Sequence, residues 1–478
     1  MLFNSIDFAL FLPIVFVIYW FLSRNVKVQN IFLLAASYFF YSWWDWRYLS
    51  LILLCTATNY LAGVLLMKTE KQKARKLILL GCCLVSLGVL GVFKYYNFFI
   101  NTFVNAFSLF GSELHLHTLN LILPVGISFY TFHTLSYTID VYRKKFNPTK
   151  DIVSFSLFVS IFPLAMAGPI ERATNLLPQI YNKRTFNRQN AADGLRQILW
   201  GLFKKVVIAD NCATIANDIF ANYQDYTGST LVLGALFFTF QIYGDFSGYS
   251  DMALGTGKLL GFKFLHNFKF PYFSRDIAEF WRRWHISLTT WFRDYVYIPL
   301  GGSRVKKWKI VRNTFIIFLV SGFWHGANWT FIAWGVYHAL LFLPLILLDK
   351  NRKHVDIAAI GHIFPTIKEF FQIITTLILV MLGWILFRAE SITDAYLYIS
   401  GIFSKSLFEL PNYQINLFKN VAMPVILFLF EWIQRNKEHA LDLSAIKSTV
   451  LRWTIYYVLI GIILEFGGNN QSFIYFQF

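Results

Sequence analysis

The chain has 478 residues, of which 56% are hydrophobic, 19% aromatic and only 14% charged. Soluble domains contain about 25% charged residues, so this composition excludes an ordinary soluble enzyme and indicates an integral membrane protein. The net charge of +17 is explained by the lysines and arginines that membrane proteins concentrate in their cytoplasmic loops. Since the sequence shows no soluble basic domain, we expect no nucleic-acid partner.

Apolar runs of about 20 residues predict membrane-spanning helices, because the bilayer offers no water to satisfy exposed backbone groups. The sequence therefore predicts an all-α, polytopic transmembrane helical bundle. The first run ends at Ser23 and Arg24 without a cleavage site, so we interpret it as a retained span and not as a signal peptide. The predicted spans, some of which could be re-entrant, are 8–22, 30–44, 48–67, 77–95, 122–141, 152–167, 197–217, 229–247, 311–325, 328–348, 366–388, 420–434 and 451–467.

Three basic loops, at 23–27, 68–76 and 143–150, set the predicted topology. The first two loops flank a pair of spans, and two further spans separate the second loop from the third. All three loops can lie in the cytoplasm, as the positive-inside rule requires, only if Met1 lies outside.

The segment 244–310 differs from the rest of the chain, because it is rich in glycine and charge and yet full of aromatic residues. We expect re-entrant or cytoplasmic-side helices here that line a cavity, since irregular backbone at membrane depth must be surrounded by protein or water. No repeat or linker divides the chain, so we expect one integral membrane domain over 1–478. The connection 350–365 is expected to be solvated, and the aromatic C-terminus 469–478 is expected to pack on the bundle or lie at the interface.

The motif SGFWHGANW places a titratable imidazole, His325, in a strongly apolar run. Polar groups at membrane depth are costly and are therefore functional candidates. Gly326 permits close approach, and we expect Trp324 and Trp329 to wall a site with Asn328 nearby. A neutral imidazole in such a place can act as a general base; a hydrogen-bonded packing residue is the alternative.

Two further histidines, His285 and His338, remain candidates beside His325, because the other histidines lie in polar stretches or among polar side chains. His285, in WRRWHISL, reaches the same cavity if 244–310 folds inward. His338 follows His325 by 13 residues, which is about 20 Å along one ideal helix, so we do not expect it to be a partner.

Metal and hydrolase motifs are missing from the sequence. It has no HExxH pair and no Cys or carboxylate cluster beside these histidines, so we expect no bound metal. The GDFSG at 244–248 has its serine one place too late for a GxSxG elbow. The four cysteines are expected to be small core residues.

The histidines belong to an ordered set of motifs. FWRRWHISLTTWFRDYVYIPLGG precedes the WHG of His325, and both follow LPVGISFYTFHTLSYTIDVYR, FPLAMAGPIERA and QIYGDFSGYSDMALGTGKLLGF. This set, which spans most of residues 1–350, resembles the membrane-bound O-acyltransferase (MBOAT) family. It is most similar to the bacterial branch that contains the alginate O-acetyltransferase membrane subunit.

The resemblance implies the MBOAT fold, with about 11–13 membrane helices and additional re-entrant or interfacial helices around a central tunnel. It implies that His325 is the essential catalytic residue and that His285 holds the second family position, which is His or Asn. The residues expected to bind substrate are Trp324, Asn328, Arg282, Tyr243 and Ser247. Basic residues that could meet the phosphates of coenzyme A, or could be ordinary cytoplasmic-side charges, are Lys263, Lys269, Arg275, Arg282 and Arg283.

The activity that the resemblance implies is O-acyl transfer. An acetyl group would move from cytoplasmic acetyl-CoA, a donor substrate and not a permanently bound cofactor, to hydroxyls of an extracytoplasmic polysaccharide. The resemblance also implies a multi-pass protein of the bacterial inner membrane, in contact with lipid and assisted by an extracytoplasmic acetyltransferase. The alternatives are D-alanyl transfer from a carrier-protein thioester to a cell-wall polymer, and a non-enzymatic transporter. The lack of an internal repeat counts against the transporter.

Overall fold

The computed structural model describes residues 1–108, 110–111, 116–119, 121–166, 168–469 and 471–476. All regular secondary structure in these ranges is helical, which confirms the predicted all-α fold. The α-helices are α1 (Ile6–Phe21), α2 (Val26–Ser42), α3 (Leu49–Lys68), α4 (Gln72–Leu90), α5 (Tyr96–Ser108), α6 (Ile127–Tyr142), α7 (Ile152–Ser160), α8 (Ala173–Tyr181), α9 (Arg188–Leu202), α10 (Asp210–Ala221), α11 (Gly228–Leu259), α12 (Ile277–Arg283), α13 (Ile286–Phe292), α14 (Lys307–His325), α15 (Trp329–Leu347), α16 (Ile367–Arg388), α17 (Ile392–Ile402), α18 (Met423–Ile433) and α19 (Thr449–Phe466).

Seven helical stretches of the described chain are long and apolar enough to cross a membrane. They are Ile6–Arg24, Trp46–Lys68, Gln72–Ser108, Gly228–Leu259, Trp329–Leu347, Ile367–Arg388 and Thr449–Phe466. Each overlaps a span predicted from the sequence, and the protein is therefore a multi-pass membrane protein. The full number of 11–13 membrane helices stays a prediction.

The predicted span 311–325 lies within the continuous 19-residue helix α14, whereas the other predicted spans correspond to shorter or interrupted helices. The predicted span 152–167 is wrong in its second half, because α7 ends at Ser160 and turns follow. Pro163 explains this end, since proline has no N–H to continue the helical hydrogen-bond pattern. The predicted span 420–434 is divided between a π-helical turn, Leu417–Ala422, and the short helix α18.

The segment 244–310 is irregular over a smaller range than the sequence predicted. Helix α11 continues without a break to Leu259, so the prediction is wrong for 244–259. Its glycines serve close helix packing: a Cβ on Gly248 would lie 2.8 Å from the carbonyl oxygen of Gly201. Small residues permit such approach between helices. The short helices expected in this segment are α12 and α13.

The chain divides into two compact units. The first contains Met1–Ala192 and Thr256–Leu265, and the second contains Asp193–Gly255 and His266–Phe478. The expected single membrane domain over 1–478 stays a prediction.

Inside the first unit, buried polar side chains link the helices. The guanidinium of Arg184 donates to Gln29 Oε1 at 2.8 Å, to Asn30 Oδ1 at 2.6 Å and to the carbonyl oxygen of Ile180 at 3.0 Å. The same group lies over the ring of Phe262, 5.1 Å from its centroid. Within a bilayer the hydrophobic effect does not drive helices together, because the lipid tails are as apolar as the helix surfaces. Hydrogen bonds between helices therefore help to stabilise their contacts.

Inside the second unit, α14 and α15 form an antiparallel hairpin. A Cβ on Gly322 would overlap the carbonyl oxygen of Phe331, and a Cβ on Gly335 would overlap that of Phe318. The two helices therefore approach at backbone distance. The hairpin brings the C-terminal end of α14, which carries the WHG motif, against the N-terminal half of α15.

Candidate active site

His325 is the last residue of α14 and is buried. The helix ends here because Gly326 turns to an extended conformation, with φ −162° and ψ 156°. A Cβ on Gly326 would overlap the ring of Phe331, so this position requires glycine for space. The glycine of the WHG motif thus leaves room for the Phe331 ring to pack against the backbone next to His325.

His285 lies at the break between α12 and α13 and is buried as well. Its backbone is left-handed, with φ 44° and ψ 52°, a conformation that is uncommon for residues other than glycine, although histidine adopts it more often than most. The next residue fixes this turn, since the Ile286 N–H donates to the carbonyl oxygen of Asn267 at 2.8 Å. Burial lowers the pKa of His285 to about 3, so the imidazole is neutral at neutral pH.

The two imidazoles meet in one aromatic cluster. Their ring centroids are 6.4 Å apart. The ring of Trp324 lies 4.9 Å from His325 and 5.8 Å from His285, and the ring of Tyr475 lies 5.7 Å and 6.4 Å from the same two histidines. We call His285, His325, Trp324 and Tyr475 the histidine cluster. The structure therefore brings together the predicted residues His325, His285 and Trp324.

Further rings enclose the histidine cluster. Phe246 lies 4.7 Å from both His285 and Tyr475. Trp334 and Phe387 lie 5.1 Å and 5.3 Å from His325. A surrounding of this kind excludes water, which strengthens electrostatic interactions at the imidazoles.

Tyr475 is the member of the cluster that sequence reasoning did not single out. The aromatic C-terminus was expected to pack on the bundle or lie at the interface, and the first alternative is confirmed for Phe473 and Ile474, which are buried. Gln477 and Phe478 lie outside the described residues. The sequence offered one signal, a tyrosine among phenylalanines in the ending FIYFQF.

Tyr243 and Ser247, also expected to bind substrate, line a different place in the second unit. Both border a small polar cavity together with Lys204, Asp251 and Glu431. The Tyr243 hydroxyl donates to Glu431 Oε1 at 2.8 Å, and the Lys204 ammonium pairs with Asp251 at 2.5 Å. Tyr243 and Ser247 thus belong to a charged cavity and not to the aromatic surroundings of His325.

Asn328 and Trp329 have structural positions. The Asn328 Oδ1 accepts from the Thr330 N–H at 3.1 Å and caps α15, while its Nδ2 donates to the carbonyl oxygen of Glu390 at 2.8 Å. Trp329 is 51% exposed, so the expectation that it walls the site is wrong. That wall is formed by Trp334, five residues further along the chain.

The arginines considered for coenzyme A phosphates are bound by the protein itself. Arg275 and Arg283 both pair with the buried carboxylate of Glu279, at 3.0 Å and 2.8 Å. Arg282 donates to the carbonyl oxygens of Asn351 and His354, at 2.8 Å and 2.5 Å. The described hydrogen bonds and ion pairs of these three arginines are thus to groups of the protein itself, and their role in substrate binding stays a prediction.

These arginines hold the connection 350–365, which was expected to be solvated. Arg275 donates to Asp356 Oδ1 at 2.9 Å, and Arg283 donates to the Asp356 carbonyl oxygen at 2.8 Å. The Arg275 guanidinium lowers the pKa of Asp356. Ala358 and Ala359 are buried. The connection is thus a docked loop over part of its length, and the expectation of a solvated connection is wrong there.

The distance of about 20 Å between His325 and His338 assumed that both lie on one ideal helix. They lie instead on two helices, α14 and α15. The chain reverses between α14 and α15, and the ring of Trp334 contacts both histidines, at 5.1 Å and 5.0 Å. Trp334 therefore separates His338 from the histidine cluster.

Within the described ranges, no group of three His, Cys, Asp or Glu side chains could hold a metal ion.

The fold and this buried histidine pair define a polytopic helical membrane protein with a candidate acid–base site. Residues 148–382 match the model of the membrane-bound O-acyltransferase family. The chain belongs to this family, and it is an acyltransferase.

Three relatives illustrate the range of named functions. The chain is 39% identical over 505 residues to the probable alginate O-acetylase AlgI of Pseudomonas putida, with 100% of both chains covered. It is 32% identical over 530 residues to the peptidoglycan O-acetyltransferase of Helicobacter pylori, with 100% of this chain and 98% of that protein covered. It is 29% identical over 250 residues to the teichoic acid D-alanyltransferase of Bacillus subtilis, with 49% of this chain and 62% of that protein covered.

Proposed function

We propose that this protein transfers an acetyl group from cytoplasmic acetyl-CoA to hydroxyl groups of an extracytoplasmic polysaccharide, with His325 as the catalytic base. The observation that carries the proposal is the burial of His325 and His285 in one aromatic cluster, with ring centroids 6.4 Å apart. The names of the P. putida and H. pylori relatives, which cover the whole of this chain, support O-acetyl transfer to a polysaccharide.

The proposed chemistry uses the His325 imidazole as a base for an acceptor hydroxyl that enters the enclosed site. His325 takes the proton of the attacking hydroxyl, the hydroxyl oxygen bonds to the thioester carbonyl carbon, and the C–S bond breaks. The departing thiolate receives the proton. General-base catalysis contributes roughly 10²–10⁴-fold to such a step.

His285 is the proposed stabiliser of the oxyanion that forms on the carbonyl oxygen. A neutral imidazole can donate one N–H, and a fixed donor is most effective where water is excluded. The left-handed backbone at His285 holds the ring in the cluster. This proposal leaves Asn328 to its capping role and Trp324 to the wall of the site.

The proposed setting is the bacterial inner membrane with Met1 outside. Support comes from the basic loops at 23–27, 68–76 and 143–150, which this topology places in the cytoplasm beside the donor. An extracytoplasmic acetyltransferase is the proposed protein partner, since the acetyl group must reach a polymer outside the cell.

The competing function is D-alanyl transfer from a carrier-protein thioester. Its support is the B. subtilis relative, which matches only 49% of this chain. The two functions differ in donor, so inverted membrane vesicles supplied with radiolabelled acetyl-CoA or with a D-alanyl carrier protein separate them. We expect label transfer from acetyl-CoA only.

The test in cells uses a strain that lacks the chromosomal copy. We expect the wild-type chain to restore O-acetyl groups to surface polysaccharide, measured after mild alkaline release, and His325→Ala to restore none at equal membrane abundance. Full acetylation by His325→Ala would refute His325 as the base. Acetylation that does not depend on the chain at all would refute the proposed function.

A further inference from the structure

A buried group of three charges lies in the second unit, outside the histidine cluster. The Lys205 ammonium pairs with Asp210 and with Asp245, each at 2.8 Å. The three side chains are at most 3% exposed. We call Lys205, Asp210 and Asp245 the lysine triad.

The lysine triad also binds the backbone of the C-terminal segment. An ammonium group has three N–H donors, and the third donor of Lys205 goes to the carbonyl oxygen of Gln471 at 3.0 Å. Asp245 uses its second oxygen, Oδ2, to accept from the Ile474 N–H at 2.7 Å. The third N–H of Lys205 and the Oδ2 atom of Asp245 therefore have these hydrogen-bond partners only when the segment is docked.

Groups next to the lysine triad also contact the C-terminal segment. The Gly468 N–H donates to the carbonyl oxygen of Val206 at 2.9 Å, within the π-helical turn Phe203–Ala209 that carries Lys205. The Phe473 ring packs 4.5 Å from that of Tyr249, over which the Lys205 ammonium lies. π-helical turns are frequent at functional sites, and this one presents Lys205 to the segment.

Tyr475 follows Ile474 directly, and its ring contacts both His285 and His325. A bond to the triad at Ile474 therefore fixes the position of the next ring in the histidine cluster. We propose that the lysine triad is a positioning device, which docks the described C-terminal residues 466–469 and 471–475 so that Tyr475 completes the catalytic cluster. The role in catalysis rests on the proposed function, whereas the docking can be tested without it.

The experiment measures docking by the accessibility of a cysteine introduced at position 474, where the native Ile474 is buried. Ile474→Cys is combined with Lys205→Met or with the matched control Lys204→Met, which removes an adjacent buried ammonium that pairs with Asp251. A maleimide reagent labels the membrane-embedded protein, and the parent with its four native cysteines supplies the background. We expect labelling about tenfold faster in Lys205→Met, because two buried hydrogen bonds to the segment are lost or weakened, and little change in Lys204→Met.

A second route changes none of the three charged residues. A Cβ on Gly468 would lie 3.0 Å from both the Asn211 backbone nitrogen and the Asp210 carbonyl carbon, so Gly468→Val should displace the segment from the triad. We expect the same rise in labelling of the cysteine introduced at position 474. Unchanged labelling in Gly468→Val, or equal labelling in Lys205→Met and Lys204→Met, would overturn the proposed anchor.

The kinetic measurement separates positioning from general loss of structure. In purified protein we expect Lys205→Met to lower kcat about tenfold while KM for acetyl-CoA changes less than about twofold, and Lys205→Arg to recover part of kcat. A rise in KM with unchanged kcat would contradict positioning of the catalytic cluster. If labelling responds as expected but the wild-type protein transfers no acetyl group, the anchor stands and the proposed function fails.

Discussion

Two neighbouring parts of the second unit use buried polar groups in opposite ways. Around α12, Arg275 and Arg283 share the carboxylate of Glu279 and hold the 350–365 connection. A few residues later, His285 enters a cluster of rings with His325. The charged groups are matched by charges and carbonyl oxygens, whereas the imidazoles lie among aromatic faces. Charge near this site thus maintains the architecture, and the two imidazoles lie within the aromatic cluster where the chemistry is proposed.

The largest effect is expected on stability, when the buried carboxylate that pairs with the arginines is removed. Glu279→Ala leaves two buried guanidinium groups without their shared carboxylate, and removal of one partner from a buried ion pair costs about 3–5 kcal/mol. The free energy of unfolding in detergent measures this loss. Asp294→Asn is the control, because the Arg293–Asp294 pair is exposed and should contribute at most about 1 kcal/mol. Equal losses in both variants would contradict an architectural role for Glu279.

On the imidazole side, His285→Ala should lower kcat by roughly 10²–10³-fold, the range found when an oxyanion donor is removed. His285→Asn should retain part of the activity, because asparagine donates an N–H and tolerates the left-handed backbone at this position. Stability and kcat are measured on both variants. Equal activity of the alanine and asparagine variants would show that the donor group at 285 is not used.

A smaller effect is expected at the boundary of the site. Asn328→Ala removes the N-cap of α15 and should cost about 1 kcal/mol of stability, with kcat close to that of the wild type. Asn328→Ser, which keeps a capping oxygen, should recover most of the stability. A large fall in kcat in the serine variant would contradict a purely capping role and would support substrate binding by Asn328.

The smallest effect is expected for Arg282, which is exposed but already donates to two carbonyl oxygens. Arg282→Gln should change KM for acetyl-CoA by less than about twofold, as for most surface substitutions. Lys269→Gln is the comparison, since Lys269 is exposed and was also considered for phosphate binding. A tenfold higher KM in Arg282→Gln would restore its role at the donor phosphates.

Much of the fold could be predicted from local sequence, because apolar runs and prolines determine where an individual helix lies and where it ends. The irregularity expected at 244–259 was wrong for a physical reason: the role of Gly248 depends on Gly201, which lies on another helix. The His325–His285 pairing was predicted from the motifs that the chain shares with its family. Tyr475 could not be placed, since its position depends on buried charges more than 200 residues away in sequence, at Lys205 and Asp245.

The arginines show the same limit. A basic residue beside a predicted site favours an anionic ligand, but Glu279 and the carbonyl oxygens of the 350–365 connection are equally good partners once the chain is folded. Sequence separation hides such partners. The histidines were easier to interpret because few alternatives exist for an imidazole in an apolar run.

The most direct test compares His325→Ala with His338→Ala in purified protein supplied with acetyl-CoA and a hydroxyl acceptor. Both histidines are buried and both contact Trp334, so the two variants match in burial and packing loss. We predict that His325→Ala lowers kcat by at least roughly 10²-fold, as expected for loss of a general base, while His338→Ala changes kcat by only a few fold. Equal losses in the two variants would show that His325 acts through packing and would contradict its role as the catalytic base.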